Sequence, residues 1–444
     1  MGVLMTKKLL IIVSMLAALP ACNSGKPASS TRVNPAPMFG KDAGPVVGNS
    51  SLPAPKVALL GELSHPIMRT PNRVALAPNG DIVVSDPAGG AVHVFAPWGQ
   101  RKFAITSAKR PLSCAVDGEG KIYVGDKATG SVRIHRGTGQ FLTKLGKGDG
   151  EFKMPNELEV AAKEKVVFVA DSKADQIRAF DTLGTSMFLM GTSGTGAGAF
   201  HFPTGMVFDS AKKRLYIADH SNGRVQVFSH TGKFISTLGV KGAGKGKFTR
   251  PQGLAIDAKE RLYVVDTFQG QLQLVDKLGL HVGYLGKFGT KKGQLSIPSD
   301  AALGPAGRLY VTSYRTGKVL IYGIDGAKAA PQPLAGKLLV RPADLSKPTR
   351  ERTFTVRISL PNTRPRDINL ASLTLNGMLV PVPGSARYFR KQRSGPAALE
   401  VQFDRKQLAV ALPIGGVQTL SLYGALGNKK AFVASQQVTM EVPK

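Results

Sequence analysis

From about residue 57 to residue 323, apolar and polar positions alternate in short runs rich in β-branched and aromatic residues, with a turn every eight to twelve residues. Val225 to Phe228 and Phe234 to Leu238 are typical of these runs. Such alternation predicts short antiparallel strands, and no helical period competes with it. The runs also recur in sets. Residues 214–239 and 261–286 are near-copies of one another, with weaker copies before and after. Aligned on the proline that opens each copy, the sets begin at Pro71, Pro111, Pro155, Pro203, Pro251 and Pro298, spaced by 40, 44, 48, 48 and 47 residues. Each reads as an apolar run ending near an Asp (Met206 to Asp209, Leu254 to Asp257, Cys114 to Asp117), a polar turn, and three further strands. Four-stranded units of this length are propeller blades, so the region is predicted to be a six-bladed β-propeller in an all-β chain.

The last unit runs through Tyr310 and Val319 to Tyr322 and then lacks a fourth strand. Ahead of the first unit, Lys56 to Gly61 carries the fourth-strand pattern of Phe234 to Gly239. The expectation is that the N-terminal strand completes the sixth blade and closes the ring over residues 56–325, leaving no exposed seam.

Several blades carry Pro-x-Gly-apolar, Leu-Tyr-Val-x-Asp, Arg-Val-x-Val-Phe and Gly-x-Gly-x-Phe-x-x-Pro in succession, most fully between Pro203 and Pro251 with Asp219, Asn222, Arg224 and the run Gly244 to Phe248. This pattern resembles the NHL repeat. The last blade departs from it, with Ser313 where the others have Asp. The resemblance implies a six-bladed propeller that serves mainly as a binding module, with some members binding RNA on a basic face.

Residues 335–444 have a different texture. Phe354 to Leu360, Leu370 to Leu375, Leu399 to Phe403, Thr419 to Tyr423 and Val438 to Val442 alternate or are β-branched, with Pro- and Gly-rich turns between. They predict a small Ig-like β-sandwich, with a short helix over Lys406 to Leu412.

The N-terminus speaks to location. Lys7 and Lys8 precede the apolar run Leu9 to Leu19, which has about half the ~20 residues needed to cross a bilayer and reads as a signal peptide. It ends in Leu19-Pro20-Ala21-Cys22, which resembles a bacterial lipobox and implies lipidation of Cys22 over residues 1–22. Asn23, rather than Asp, at the next position favours the outer membrane in a two-membrane cell. Residues 23–55 are rich in Ser, Gly, Pro and Ala and read as a flexible tether, with a reach of roughly 30–35 Å. With Cys22 lipidated, Cys114 has no partner for a disulfide. Its repeat register makes it a small buried apolar residue.

Charge adds a second signal. The chain has 59 Lys and Arg against 29 Asp and Glu, a net charge of +30, and residues 331–444 contribute 17 basic and 6 acidic side chains to it. Such an excess attracts anions. The basic residues also recur at one place in the repeat. The connections between blades hold Lys147 and Lys153, then Lys241, Lys245, Lys247 and Arg250, then Lys287, Lys291 and Lys292. All these connections leave a propeller on one face, so they predict a basic rim. Phe248 and Phe288 in the same connections are expected to pack between blades. The expected partner is a cell-envelope protein or an anionic polymer, with nucleic acid accessible to an exported chain only as extracellular DNA. The chain is expected to be monomeric and held to the membrane by its lipid.

The residues just after the opening prolines, Asn72, Leu112, Asn156, Thr204, Gln252 and Ser299, predict a polar pore mouth with one carboxylate beside it, Glu157. Zinc needs three or four His, Cys or carboxylate ligands and calcium six or more oxygens, and this ring supplies neither. The seven histidines fall at dissimilar repeat positions. Asp86, Asp126, Asp171, Asp219 and Asp266, at the ends of the second strands, are read as caps of their own turns. No metal, cofactor or catalytic residue is assigned. The alternative is a metal-dependent propeller hydrolase or lyase working at the pore mouth.

Overall fold

A computed structural model describes residues 48–341, 345, 352–390, 396–411 and 417–439. The segment expected to be a signal peptide, Cys22, and the stretch to residue 47 expected to be a tether lie outside the described residues. Six four-stranded antiparallel sheets follow one another in the order expected from the repeat. Blade 4 is representative, with strands Pro203–Asp209, Arg214–Asp219, Arg224–Ser229 and Phe234–Leu238. Blade 6 is built from Pro298–Leu303, Arg308–Ser313 and Lys318–Ile324, and its fourth strand is Val57–Ser64, which pairs antiparallel with Lys318–Ile324. The ring is therefore closed by the N-terminal strand.

The apolar half of each alternating strand is buried against the neighbouring blade, not against a common centre. Val83, Val94, Cys114 and Val124 form one such layer between blades 1 and 2. Phe168, Phe200, Met206 and Ile217 form another between blades 3 and 4. The closing layer joins Leu63, Val74, Ile82 and Phe95 to Tyr310 and Val319, so the closing strand grips blade 1 as well as blade 6. Cys114 is a buried free thiol in this packing, as its register predicts.

The inner strands of five blades share an irregularity. Register shifts follow the opening proline between Pro111 and Ser113, Pro155 and Glu157, Pro203 and Met206, Pro251 and Leu254, and Pro298 and Ala301. A bulge of this kind re-aims a side chain, and here it decides which residue faces the axis.

The C-terminal strands form one hydrogen-bonded sheet of seven, curled on itself. In sheet order they are Ile368–Leu375, Val417–Leu426, Ala431–Thr439, Leu334–Arg341, Thr353–Ser359, Ala398–Asp404 and Arg387–Phe389. The curl brings Leu375 and Leu422 from one half into the same core as Phe354, Val401 and Phe403 from the other, so a single sheet does the work of the expected sandwich. Leu334–Arg341 is the strand that makes this continuous, because it runs parallel to Ala431–Thr439 and antiparallel to Thr353–Ser359. The helix Arg405–Ala411 follows the sixth strand in this order, close to its expected place. This sheet rests on the outer strand of blade 1. The Tyr423 hydroxyl donates to Arg101 O at 3.5 Å, and Lys102 Nζ stands 5.4 Å from the centre of the Tyr423 ring.

Candidate functional site

Two places bear on function: the propeller axis and the loops of one face. At the axis the second residue after each opening proline is Arg73, Ser113, Glu157, Gly205, Gly253 or Asp300. Arg73 is fully buried and spans the ring. Its Nε lies 2.8 Å from Glu157 Oε2 and donates to Asn156 O at 3.0 Å, both in blade 3. Its Nη1 donates to Ser299 O in blade 6 at 2.6 Å. Asp300 Oδ2 accepts from Val74 N at 2.9 Å. The guanidinium thus plugs the channel at the end from which the inner strands start.

The polar ring read from the sequence stands at this same end, but it does not frame an open mouth. Asn72, Asn156, Glu157, Thr204 and Ser299 are buried and Gln252 is half-buried. They stitch neighbouring blades together: Asn72 Nδ2 donates to Leu112 O, Ser299 Oγ to Asn72 O, and Thr204 Oγ1 to Gln252 O. Gln252 Oε1 accepts from Thr267 Oγ1. Arg73 and Asp300 lie one residue beyond the ring positions singled out in the sequence; in blade 6 the bulge after Pro298 turns that second residue toward the axis. An arginine among otherwise small or acidic residues at that second position is a signal the repeat alignment does contain.

Beyond the plug the inner strands enclose a cavity of about 310 Å³, lined among others by Cys114, Glu157, Glu159, Phe208 and Asp300. Burial dominates the chemistry of its carboxyls. It pushes Glu159 up to about 7, against a hydrogen bond from Phe208 N. It pushes Asp300 up to about 6, although Arg73 pulls the other way. Glu157 is also held well above the ordinary range by burial, which Arg73 only partly offsets. Burial raises the Cys114 thiol too, so it is unreactive at neutral pH. Among the described residues, no three His, Cys, Asp or Glu side chains come close enough together to hold a metal ion.

On the face where the inner strands start, the second-strand aspartates do more than cap their own turns. Asp126 accepts from Lys109 N and Arg110 N, in the connection that enters its blade, as well as from Ala128 N and Thr129 Oγ1 in its own turn. Asp86, Asp171 and Asp266 hold the corresponding pairs Arg69 and Thr70, Lys153 and Met154, and Thr249 and Arg250. In blade 6 Ser313 Oγ takes the place of the carboxylate and accepts from Ser296 N. These are therefore staples that fix the connections, mainly through backbone amides.

The stapled connections carry the basic residues. Lys147, Lys153, Lys241, Lys245, Lys247, Lys287, Lys291 and Lys292 are all exposed. Arg250 is half-buried, with its guanidinium 4.7 Å over the Phe268 ring. Phe248 packs between blades as expected, against Gly239, whose φ of +71° and lack of a Cβ leave room for the ring. Phe288 does not. In its connection Leu295 fills the corresponding place against Gly286, so Phe288 stays 63% exposed and the expectation of inter-blade packing is corrected.

Comparison with known proteins agrees with this architecture. A family model described as a 6-bladed beta-propeller matches residues 206–276, spanning blade 4 and most of blade 5. No curated protein matches the chain. Among solved structures, a gluconolactonase from Xanthomonas campestris is similar at 17% identity, covering 64% of this chain and 98% of its own, with a TM-score of 0.47. Hydrazine synthase from Kuenenia stuttgartiensis is similar at 14% identity, covering 58% of this chain and 96% of its own, with a TM-score of 0.43. A chain of a nidogen/laminin complex is similar at 18% identity, covering 54% of this chain and 88% of its own, with a TM-score of 0.45. These similarities concern fold alone, and they join enzymes to binding proteins. The family model, together with the six described four-stranded sheets, gives this chain a six-bladed β-propeller.

Proposed function

We propose that the chain is a non-catalytic cell-envelope lipoprotein, anchored through Cys22 to the outer membrane. Its NHL-type propeller is then a binding or scaffolding module for an acidic protein or anionic polymer. The observation that carries this reading is the asymmetry of charge between the two faces. On the face of the connections the lysines named above are exposed, and Arg69, Lys109, Arg110 and Arg315 extend them around the ring. Among the described residues of those loops Asp149 is the one exposed carboxylate, and it is paired with Lys144. The carboxylates of the turns, Glu119, Asp181, Asp209, Asp257, Glu260 and Asp325, stand on the opposite face, where exposed Lys163, Lys165, Lys212, Lys213, Lys259 and Lys277 are interspersed with them, so that face is mixed while the connection face is almost purely basic. A field of one sign over one face steers anionic partners to it. Buried Arg73 fills the axis at that end, so the loops around it are the surface offered.

The test is binding of the full chain carrying Cys22→Ala to polyphosphate and to acidic polysaccharide across a salt series. Lys241, Lys245, Lys247, Lys291 and Lys292 changed to Gln make the comparison. Affinity that falls steeply with salt and collapses in the variant supports the rim. Equal binding by both proteins removes it. Chelation tests the competing hydrolase or lyase reading, since a fall in Tm on treatment with a chelator would favour a metal at the axis.

A further inference from the structure

Blade 5 adds to the rim something that a soluble polyanion does not require. Phe268 is 67% exposed and Phe288 is 63% exposed. Phe268 lies in the turn between the second and third strands of blade 5, and Phe288 lies in the connection that leaves the blade. Their loops touch: a Cβ on Gly270, at φ +64°, would meet Cδ2 of Phe288 at 2.6 Å. The equivalent positions in blade 4 are polar, Ser221 and Lys241. Ile67, in the connection entering blade 1, is 51% exposed on the same face.

Fully burying such a side chain contributes about 1.5–3 kcal/mol, which the fold forgoes at each of these positions. Packing does not explain them, because Leu295 already fills the inter-blade place beside Phe288. Cations surround the two rings: Arg250 over Phe268, and exposed Lys287, Lys291 and Lys292 in the Phe288 connection. The opposite face also exposes Leu183 and Leu278, but there the carboxylates stand among them. Only the connection face joins apolar rings to cations with almost no exposed anion.

We propose that this face docks on an anionic lipid bilayer, with Phe268 and Phe288 entering the interface and the lysines meeting the phosphate headgroups. The proposal rests on the reading of the rim as an anion-binding surface and names its occupant. Aromatic side chains favour the headgroup boundary, and each basic residue near an anionic membrane contributes about 1 kcal/mol. Docked this way, the opposite face is turned to solvent.

The experiment is co-sedimentation of the full chain carrying Cys22→Ala with vesicles of phosphatidylcholine alone or mixed with phosphatidylglycerol, with polyphosphate binding measured in parallel. Wild type is expected to sediment with the phosphatidylglycerol vesicles only. The pair Phe268→Ser and Phe288→Ser is expected to weaken this by about tenfold while leaving polyphosphate binding and Tm unchanged. Lys287, Lys291 and Lys292 changed to Gln should weaken both. If wild type binds polyphosphate but not vesicles, or if the Phe variant binds vesicles as wild type does, the lipid proposal is overturned and the rim reading stands. If wild type binds neither, both fall.

Discussion

Arg73 of blade 1 and Glu157 of blade 3 meet across the propeller axis, Nε to Oε2 at 2.8 Å, with both side chains out of contact with solvent. Each is costly to bury alone, and the remaining bonds of the guanidinium go to the carbonyls of Asn156 and Ser299. The pair therefore ties three inner strands that no ladder hydrogen bond joins. A buried pair is a poor source of net stability but a costly thing to break, because the surviving group is left buried without its partner.

Arg73→Met is accordingly expected to destabilise the propeller by about 3–5 kcal/mol. Glu157→Gln alone should also destabilise, and the double variant should lose less than the sum of the two. Urea unfolding of the four proteins measures the coupling, and simple additivity would show that the pair does not act as a unit.

Glu159 makes stability depend on pH. Its pKa rises from 4.5 to about 7 on folding, chiefly through burial. The folded state thus binds the proton more tightly, and the contribution of this group to stability is lost as pH rises from about 4.5 to 7. At about 1.4 kcal/mol per unit, the wild type gives up on the order of 2–3 kcal/mol across that window. Glu159→Gln keeps the acceptor for Phe208 N and should flatten the difference, becoming the more stable protein at pH 7 but not at pH 4. Parallel unfolding curves at the two pH values check this.

Asp126 accepts four hydrogen bonds, two from the incoming connection to blade 2 and two from its own turn. Asp126→Ala should cost about 3 kcal/mol, since bonds to an ionised acceptor are worth roughly 1.5–3 kcal/mol and buried donors are orphaned. It should also open the connection before Pro111 to protease. Ser313→Ala, which removes a neutral staple, should cost about 1 kcal/mol. Equal losses in the two variants would argue against a carboxylate-specific role.

Leu63 of the closing strand packs against blade 1 and blade 6 together. Leu63→Ala should cost about 2–5 kcal/mol, in the range for a buried leucine. Deleting Val57–Ser64 leaves Lys318–Ile324 as an unpaired edge, and such edges invite association. Sedimentation of the deleted chain should show aggregates where the intact chain shows a single species.

The blades were legible because their information is local. Alternation with period two, the Pro at each start and the Gly turns place Phe234–Leu238 and its counterparts within a residue or so, and the spare strand before blade 1 identified the closure. The C-terminal region was less legible. Its strands were recognised, but Leu334–Arg341 pairs in parallel with a strand about a hundred residues on, and no local pattern marks such a partner.

The sequence by itself determined the number of blades, their order, the closing strand and the face on which the lysines lie, because each follows from a repeat whose units fold alike. The tertiary structure decided what the axis contains and what the rim exposes. Bulges after Pro155 and Pro298, with the approach of strands far apart in the chain, bring Arg73 to Glu157 and Ser299. Phe248 is buried and Phe288 is not because one inter-blade gap receives one side chain, and in the fifth connection Leu295 is the residue that fills it.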